Sequence, residues 1–423
     1  MDLSLPRGIR DVEPQEFELH QRIRTVFEEL TAAYNFKPME PAPLETLSVL
    51  RAKSGTQVDE QIYHFRDKAD REIGLRFDLT VGMTRYVVGR KGMKPPIKLA
   101  SYGGVWRYDE PQHARYRWFY QWDVEVFGDQ TVDSDAEVMD FSYNLFKRLG
   151  LSEVKLHVGD RRVVEEYIRS VLGVSSDEKA LEMMRALDKV AKKTQGELIA
   201  EYVSKGVGAE EMRKLLEFGS TRGAPAAVAG RLGEEGLKSA QGLSELSDIL
   251  RDRGVANVEY DLSIVRGIDY YTAIVFEVKD GARPDLGSLC GGGRYDALPR
   301  IFGRPELAAT GAAGGVERIA LSLSSFAKAE PKSVYVAFTE AGLVREALES
   351  LSELRGAGIR SDIGIRSKNL RRQLEDASAT NFRWVLIVGR KELESGSLLL
   401  KDLRDGSERL VPRNQYLETI LSM

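Results

Sequence analysis

The sequence predicts a protein of several domains that combine helices and strands in α+β and α/β arrangements. Its 423 residues exceed the size of one ordinary domain, so about two or three domains are expected. Residues 98–128 (KLASYGGVWRYDEPQHARYRWFYQWDVEVFG) hold two aromatic-rich apolar runs around a charged loop, which predicts a long antiparallel hairpin. Residues 332–423 alternate strand-like and helix-like runs, which predicts a compact C-terminal α/β domain.

The composition is that of a soluble globular protein with little charge bias. Hydrophobic residues make up 42% and charged residues 30%, with a formal net charge of -4. A nucleic-acid-binding surface would therefore have to gather its positive charge locally. The N-terminus lacks an apolar signal core, and there is no run of about 18 apolar residues. We expect a cytoplasmic protein without a membrane partner.

Cysteine and histidine usage argues against a disulfide framework or a cysteine-based metal site. Cys290 is the single cysteine of the chain, so it has no partner for a disulfide. The four histidines (His20, His64, His113, His157) are scattered, and none has ligand spacing with another. We therefore expect no metal ligands among these side chains.

The N-terminal region predicts a helix and then an extended segment. Residues 14–34 place Phe17, Ile23 and Phe27 near helical spacing. The stretch KPMEPAPLE follows, and its prolines favour an extended chain. By itself this stretch is typical of a proline-rich surface connection, and Glu45 at its end has no assigned role.

A hairpin-like pattern begins at Ile62 and leads to two small polar residues, Asp78 and Thr80. They are predicted to close a strand just before an amphipathic helix over residues 81–88. Polar groups at a strand end can hold an ammonium group. On the local pattern alone, Asp78 is better explained as a helix N-cap.

The second strand of the predicted hairpin separates an aromatic face from a polar face. A period of two places Gln121, Asp123 and Glu125 on one side, together with Arg117. The other side is apolar and aromatic: Trp118, Tyr120, Trp122, Val124 and Val126. A half-buried strand with a solvated face would also fit. The apolar first strand favours instead a central, covered sheet whose polar face is a binding floor.

The residue types on this floor suit a nucleotide and an amino group together. Arg107 ends the first strand and Arg115 leaves the loop, and both offer fixed planar donors for phosphate oxygens. Gln121, Asp123 and Glu125 could accept hydrogen bonds from an ammonium group or from a ring N–H.

The segment GGVWRYDEPQHARYRWFYQWDVEVFG resembles motif 2 of class II aminoacyl-tRNA synthetases, in the form found in the histidyl-tRNA synthetase family. The resemblance implies the class II fold, an antiparallel sheet with flanking helices. It also implies that KPMEPAPLE is motif 1, which supplies a homodimer interface. Asp78 and Thr80 would then bind the amino acid's α-amino group, although many bacterial members carry Glu-Gly-Thr where this chain has Asp-Leu-Thr.

Two further segments resemble the signatures that are peculiar to this family. In RGIDYYTAIVFE, the resemblance implies that Arg266 contacts the α-phosphate and the substrate carboxylate, and that Tyr271 helps enclose the imidazole. Without the resemblance, Arg266 could equally be an exposed arginine in a turn that has no role in binding or catalysis. LCGGGRYDAL resembles the second signature and implies that Tyr295 lies at the histidine side chain. Ala273 departs from the glycine or polar residue of many members.

TGAAGGVERIALSL resembles motif 3, a glycine-rich strand end that runs into a helix. Small residues let a nucleotide approach the backbone, and Arg318 in the first helical turn can reach its phosphates.

The family resemblance divides the chain into a catalytic core (residues 1–174 and 238–327), a helical insertion (175–237) and an anticodon-binding domain (332–423). The insertion is rich in Ala, Glu, Lys, Leu and Met at helical spacing, and its Lys192, Lys193 and Lys205 are typical of a solvated face. In the C-terminal domain a basic group could contact RNA: Arg366, Lys368, Arg371 and Arg372.

The resemblance implies histidine–tRNA ligase activity on L-histidine, ATP and tRNA(His), with Mg²⁺ accompanying ATP. Arg107, Arg266 and Arg318 would stabilise the extra phosphoryl charge when the histidine carboxylate attacks the α-phosphorus. One alternative is a non-catalytic, histidyl-synthetase-like regulatory subunit of ATP phosphoribosyltransferase. Such paralogues usually lack the anticodon-binding domain and have degraded signatures. A class IIa enzyme for another amino acid is disfavoured by RGIDYY and GGGRYD.

Overall fold

A computed structural model of the chain describes residues 2–52, 59–110, 116–190, 193–265, 271–323, 332–364 and 369–423. The chain divides into two compact units, Met1–Ser325 and Phe326–Met423. Among the residues described, no helix combines the length and apolarity needed to cross a bilayer.

The first unit contains the large sheet and most of the helices. Its helices are α1 (Pro14–Ala33), α2 (Leu47–Arg51), α3 (Thr80–Val88), α4 (Val132–Leu149), α5 (Arg161–Glu166), α6 (Asp177–Leu187), α7 (Gln195–Val203), α8 (Ala209–Gly219), α9 (Pro225–Glu234), α10 (Ala240–Asp252), α11 (Ala297–Ile301) and α12 (Val316–Leu323). Its strands are β1 (Lys37–Pro38), β2 (Leu44–Thr46), β3 (His64–Arg66), β4 (Glu72–Leu75), β5 (Ile97–Trp106), β6 (Trp118–Phe127), β7 (Val154–Asp160), β8 (Arg222–Gly223), β9 (Val258–Asp261), β10 (Ile274–Asp280), β11 (Ser288–Arg294) and β12 (Ala309–Gly315). A π-helical turn, Tyr167–Val171, continues α5.

Within the described ranges, nine strands form one sheet in the order β1-β5-β6-β12-β11-β10-β7-β9-β8. β5 and β6 pair antiparallel from Ile97↔Phe127 to Trp106↔Trp118, which confirms the predicted hairpin. β12 pairs with the other edge of β6, also antiparallel. β6 is therefore a central strand, and its backbone hydrogen bonds hold it rigidly on both sides.

The aromatic face of β6 packs against α1, α4 and α12. Trp122 is fully buried among aromatic rings of these helices, including Phe27 and Phe141, at ring-centroid distances of 5.9 and 6.1 Å. Because successive strand side chains alternate between faces, this packing directs residues 121, 123 and 125 to the opposite face. Each buried aromatic or aliphatic side chain contributes about 1.5–3 kcal/mol to that arrangement.

The opposite face of the sheet, at the β5–β6 end, is covered by α3 and α11. Val81 and Val87 of α3 are buried with Leu99 of β5 and Leu298 of α11. The polar face of β6 is therefore covered by these two helices and is not exposed to solvent.

The segment before α3 differs in detail from the sequence prediction. β3 and β4 form the predicted antiparallel hairpin, but β4 ends at Leu75 and Thr80 is already the first residue of α3. The β2–β4 ladder stops because Pro43, which lies opposite Arg76, has no N–H to donate. The Arg76 N–H still donates to Pro43 C=O at 3.0 Å, but the Arg76 C=O accepts the Trp106 N–H at 3.0 Å, and the buried Arg76 Nε donates to Gly104 C=O at 2.8 Å. Asp78 and Thr80 thus lie in a turn and at a helix start, and the prediction that they close a strand was wrong.

The extended stretch after α1 joins the sheet. β1 pairs parallel with β5, and β2 pairs with β4 in a separate small sheet. Glu45, which had no assigned role, is buried and pairs with Arg85 of α3 at 2.7 Å. This ion pair ties the proline-rich stretch to the helix that roofs the site.

Helices α6 to α10 lie between the π-helical turn and β9. Helical structure continues past residue 237 as α10. This helix packs on α4 and α9 and buries Leu243, Leu246 and Leu250. Lys193 and Lys205 are exposed, as predicted for a solvated face, and their ammonium groups form surface ion pairs. They pair with Glu201 at 2.6 Å and with Glu182 at 3.0 Å. Lys192 lies outside the described residues.

The second unit is a separate α/β structure. Its helices are α13 (Val344–Gly356), α14 (Leu370–Ala379), α15 (Arg390–Glu394) and α16 (Tyr416–Ser422), and its strands are β13 (Ser333–Phe338), β14 (Arg360–Ile363), β15 (Trp384–Val388), β16 (Ser397–Asp402) and β17 (Glu408–Pro412).

The described strands of this unit form a mixed sheet in the order β14-β13-β15-β16-β17. The β13 pairs are parallel and the β15–β16 and β16–β17 pairs are antiparallel, which confirms the predicted α/β architecture. Of the predicted basic group, Arg371 and Arg372 lie in the first turn of α14, whereas Arg366 and Lys368 fall outside the described residues.

Candidate active site

The polar face of β6 carries three buried side chains in a row. Gln121, Asp123 and Glu125 are 4%, 0% and 1% exposed. Buried carboxylates are costly unless they are hydrogen-bonded or neutralised. The Thr80 hydroxyl donates to Asp123 Oδ2 at 3.1 Å, and the Gln121 amide donates to the same oxygen at 3.3 Å. β6 and the first residue of α3 therefore build one polar pocket.

Glu125 is a strongly perturbed group of this pocket. Burial first, and then the neighbouring negative charge of Asp123, raise the pKa of Glu125 well above its ordinary value. The Tyr295 hydroxyl donates to Glu125 Oε2 and opposes that rise. A cationic ligand, or one with a ring N–H that donates to Glu125, would favour the charged form of the carboxylate.

Strand β12 leaves space for the Glu125 carboxylate because it has glycine at the opposing position. Gly311 pairs with Glu125 across the two strands. A Cβ at Gly311 would lie 1.6 Å from Glu125 Oε2 and 2.3 Å from its Cδ. The glycine-rich stretch therefore has a local steric cause, since any side chain here would displace the carboxylate.

Arg107 lies just after β5 and is held in a fixed orientation next to Gln121. Its Nε donates to Phe77 C=O at 2.9 Å, its Nη2 donates to Gln121 Oε1 at 3.2 Å, and its guanidinium lies 5.1 Å from the centroid of the Phe119 ring. These contacts place a positive charge at the edge of the buried acidic pocket. Arg115 and Arg266, the other two arginines predicted near it, lie outside the described residues.

Arg318 occupies the predicted position in the first turn of α12. Its Nη1 donates to Ser288 C=O at 2.7 Å, which orients the side chain across the neighbouring β11. The adjacent Glu317 was missed by the sequence reasoning. Its carboxylate accepts the Tyr120 N–H at 2.9 and 3.2 Å, where β12 has already turned into the helix. Burial raises the pKa of Glu317 to about 7.

Asp78 and Thr80 are both buried at the start of α3. The Asp78 carboxylate accepts the Val81 N–H at 3.1 Å, a contact of the capping type, although the N-cap residue of α3 is Leu79 and not Asp78 as the local pattern predicted. Thr80 is connected to the pocket through Asp123. The role of Asp78 and Thr80 in binding an amino group stays a prediction.

Tyr271 and Tyr295 belong to one apolar cluster behind the pocket. Tyr295 is 1% exposed, and Tyr271 packs against the cluster that contains it. The structure therefore brings together Thr80, Gln121, Glu125, Tyr295 and Arg107 through direct contacts, and it places Tyr271 against the same cluster. Asp123, at the centre of the network, lies on the polar face that the period of two predicted for it together with Gln121 and Glu125.

A second polar cluster lies further along the sheet and involves His157. Its ring nitrogen, a Glu259 oxygen and an Asp261 oxygen all lie within 4.8 Å of one another. The Lys155 ammonium donates to Glu259, and burial lowers the pKa of His157. The positive partner of this cluster is thus a lysine of the chain, and the arrangement is a cross-strand ion-pair network.

Two family models match the chain over nearly its whole length. The model described as Histidyl-tRNA synthetase matches residues 8–319, and the model described as Anticodon binding domain matches residues 333–423.

Similar whole-length relatives carry the name Histidine–tRNA ligase. The protein from Thermococcus kodakarensis is 33% identical over 438 residues, which cover 100% of this chain and 99% of the relative. The protein from Pyrococcus horikoshii is 34% identical over 434 residues, which cover 99% of this chain and 98% of the relative.

Solved structures show the same fold. The histidyl-tRNA synthetase of Nostoc sp. PCC 7120 superimposes with a TM-score of 0.88 at 23% identity, covering 100% of this chain and 99% of that one. A Bacillus halodurans C protein described as an ATP phosphoribosyltransferase regulatory subunit/histidyl-tRNA synthetase superimposes with a TM-score of 0.76 at 24% identity, covering 92% of this chain and 99% of that one.

Proposed function

The chain belongs to the histidyl-tRNA synthetase family, and from this membership we propose that it is a histidine–tRNA ligase. It activates L-histidine with ATP to histidyl-adenylate and transfers the histidyl group to the 3′ end of tRNA(His). The observation that carries the proposal is the geometry of the β6 floor. A buried pocket of carboxylate, amide and phenol groups lies next to the fixed guanidinium of Arg107.

The pocket supplies the groups that a histidine needs. The imidazole nitrogens are proposed to pair with groups from this set of an amide, a carboxylate and two phenols: Gln121, Glu125, Tyr271 and Tyr295. Asp78 and Thr80 are proposed to hold the α-amino group. A pocket equipped in this way rejects apolar side chains strongly, because they would leave its buried polar groups unpaired.

Arginines supply the charge for the phosphoryl chemistry. Arg107 and Arg318 are proposed to bind ATP together with Arg115, while Arg266 contacts the α-phosphate and the substrate carboxylate. The histidine carboxylate attacks the α-phosphorus as the bond from the α-phosphorus to the pyrophosphate oxygen breaks, and Mg²⁺ bound with ATP would neutralise charge on the leaving pyrophosphate. The protein's contribution is positioning and electrostatic stabilisation.

The second unit is proposed to bind the tRNA anticodon, since residues 333–423 match an anticodon-binding model. The regulatory-subunit alternative is disfavoured because relatives that match over the whole chain carry the name Histidine–tRNA ligase and both family models match. We also propose that the enzyme is a cytoplasmic homodimer, with the stretch around β1 at the subunit interface.

An amino-acid-dependent ATP–pyrophosphate exchange assay with all proteinogenic amino acids tests the proposal. Exchange should depend on histidine alone, and tRNA(His) should then accept the histidyl group. Exchange with a different amino acid, or histidine binding without any exchange, would assign another function to the chain.

A further inference from the structure

We propose that Arg161, at the start of α5, is a positioning residue for the histidine pocket. The inference is that its guanidinium anchors the end of the segment that joins β9 to β10 and carries Arg266 and Tyr271. The kinetic consequence rests on the proposed function, whereas the anchoring itself does not.

The contacts on the β10 side of this segment involve Arg161 twice. Its guanidinium Nη1 donates to Tyr271 C=O, and its backbone N–H donates to Ala273 C=O at 3.1 Å. The intervening Thr272 donates its N–H to Arg294 C=O at 2.8 Å. Residues 271–273 are therefore held by α5 on one side and by the end of β11 on the other.

The β9 side of the same segment touches the same junction. A Cβ at Gly159, two residues before Arg161, would lie 2.3 Å from Ile264 C=O and 3.0 Å from Asp261 C=O. Both of these are backbone atoms, so a side chain at Gly159 would push the segment away. The three residues 159–161 thus contact the chain shortly before residue 266 and directly after residue 270.

Asp160 explains why Arg161 and Arg162 point to different partners. The Asp160 carboxylate is fully buried, accepts the Arg162 N–H at 2.8 Å, and pairs with the Arg162 guanidinium at 2.6 Å. The Arg162 side chain is thereby held at the start of α5, whereas the Arg161 guanidinium contacts Tyr271. The two neighbouring arginines provide a natural matched pair for a test.

The chemistry of the contact favours arginine. A guanidinium is always charged, and a hydrogen bond from a charged donor is about twice as strong as a neutral one. It is also planar, so it fixes the direction of the carbonyl, which a lysine ammonium on a flexible stem does less well. The Tyr271 carbonyl belongs to the segment that joins β9 to β10, which also carries Arg266. Its position therefore sets where the Tyr271 ring faces the imidazole.

The test compares Arg161→Ala, Arg161→Lys and the control Arg162→Lys in the full-length enzyme. For Arg161→Ala we expect KM for histidine in ATP–pyrophosphate exchange to rise about tenfold or more, with KM for ATP changed by less than about twofold. Arg161→Lys should recover part of the loss, and Arg162→Lys should leave KM for histidine unchanged.

Hydrogen–deuterium exchange on peptides covering residues 262–276 gives a second measurement that does not depend on activity. Arg161→Ala should speed exchange at residues 271–274 relative to both the wild type and Arg162→Lys. Unchanged KM and unchanged deuterium uptake would overturn the proposal. So would equal losses for both substrates together with a lowered melting temperature, because they indicate a purely structural role. If the wild type shows no histidine-dependent ATP–pyrophosphate exchange, the proposed function fails. Deuterium uptake would still decide whether Arg161 anchors the segment.

Discussion

Glu125 is a buried side chain whose negative charge is unfavourable in the pocket. It is buried next to a second carboxylate, and the Tyr295 hydroxyl is its hydrogen-bond donor. A group in this position is stabilised best when a ligand brings positive charge or a ring N–H. Burying the charged Glu125 beside Asp123 costs free energy, and a ligand of this kind would offset part of that cost, so the site would favour such ligands.

Glu125→Gln should therefore weaken histidine binding far more than ATP binding. Loss of a charge-assisted hydrogen bond costs about 1.5–3 kcal/mol, so KM for histidine should rise about ten- to a hundredfold. Steady-state exchange kinetics with each substrate varied separately measure the effect. Tyr271→Phe should give a smaller change in the same direction, and equal losses for histidine and ATP would contradict the pocket assignment.

Glu317 makes a prediction about pH. Burial raises its pKa to about 7 from an ordinary value of 4.5. Between these pH values the folded protein binds more protons than the unfolded chain, so the free energy of unfolding falls as pH rises through this window. Glu317→Gln should remove this part of the pH dependence, about 2–3 kcal/mol between pH 4.5 and 7.5.

Urea unfolding of wild type and Glu317→Gln across this pH range measures the difference directly. The substitution Glu29→Gln, at an exposed position of α1, is the control and should leave the curve parallel to that of the wild type. Parallel curves for Glu317→Gln as well would show that the buried carboxylate does not titrate in this window.

At the scale of elements, the sequence was most informative where one pattern determines both faces. The alternation of residues 118–126 was enough to predict the hairpin, the aromatic core side and the polar floor, because the strand period assigns each side chain to a face. The glycine run and the β12–α12 boundary were also predictable. The floor's position under α3 and α11 was not, because it depends on packing between distant segments.

Other sequence-based predictions failed, or could not be made, where a long-range contact overrides the local pattern. The strand before Asp78 ends early because Pro43, the residue opposite Arg76, has no N–H to donate and the Arg76 C=O bonds to Trp106 instead, which no local pattern reveals. In the sequence Glu317 is one acidic residue in a first helical turn, and its contact depends on the Tyr120 N–H, which lies just beyond the last β12–β6 pair. Arg161 lies about 110 residues before its partner Tyr271 in the chain.

Gly311→Ala tests the close approach of β12 to β6. The added methyl group would overlap the Glu125 carboxylate, so we expect a loss of about 1–3 kcal/mol in stability and a large loss of histidine-dependent exchange. Gly233→Ala in α9 is the matched control, since a Cβ there has no atom within 4 Å and should stabilise the helix by about 0.5–1 kcal/mol. Near-normal exchange in Gly311→Ala would show that Glu125 can move without harm to the pocket.

At the scale of the whole molecule, the two units have separate cores. The core of the first unit contains Trp122 and Val105 in its two clusters, and that of the second unit contains Val336 and Leu386. Each unit also has its own sheet. Independent cores predict that each unit retains its fold when the chain is cut between them.

Removal of everything after Glu330 should therefore spare histidine-dependent ATP–pyrophosphate exchange and greatly reduce histidylation of tRNA(His). The pocket, Arg107 and Arg318 all belong to the first unit, whereas the match to an anticodon-binding model lies entirely in the second. Exchange and charging are measured on the same preparation, with circular dichroism as the check that the first unit is folded. Loss of exchange in a folded truncated protein would mean that the second unit contributes to adenylate formation. Charging that survives intact would mean that residues 333–423 do not contribute the tRNA contacts on which recognition depends.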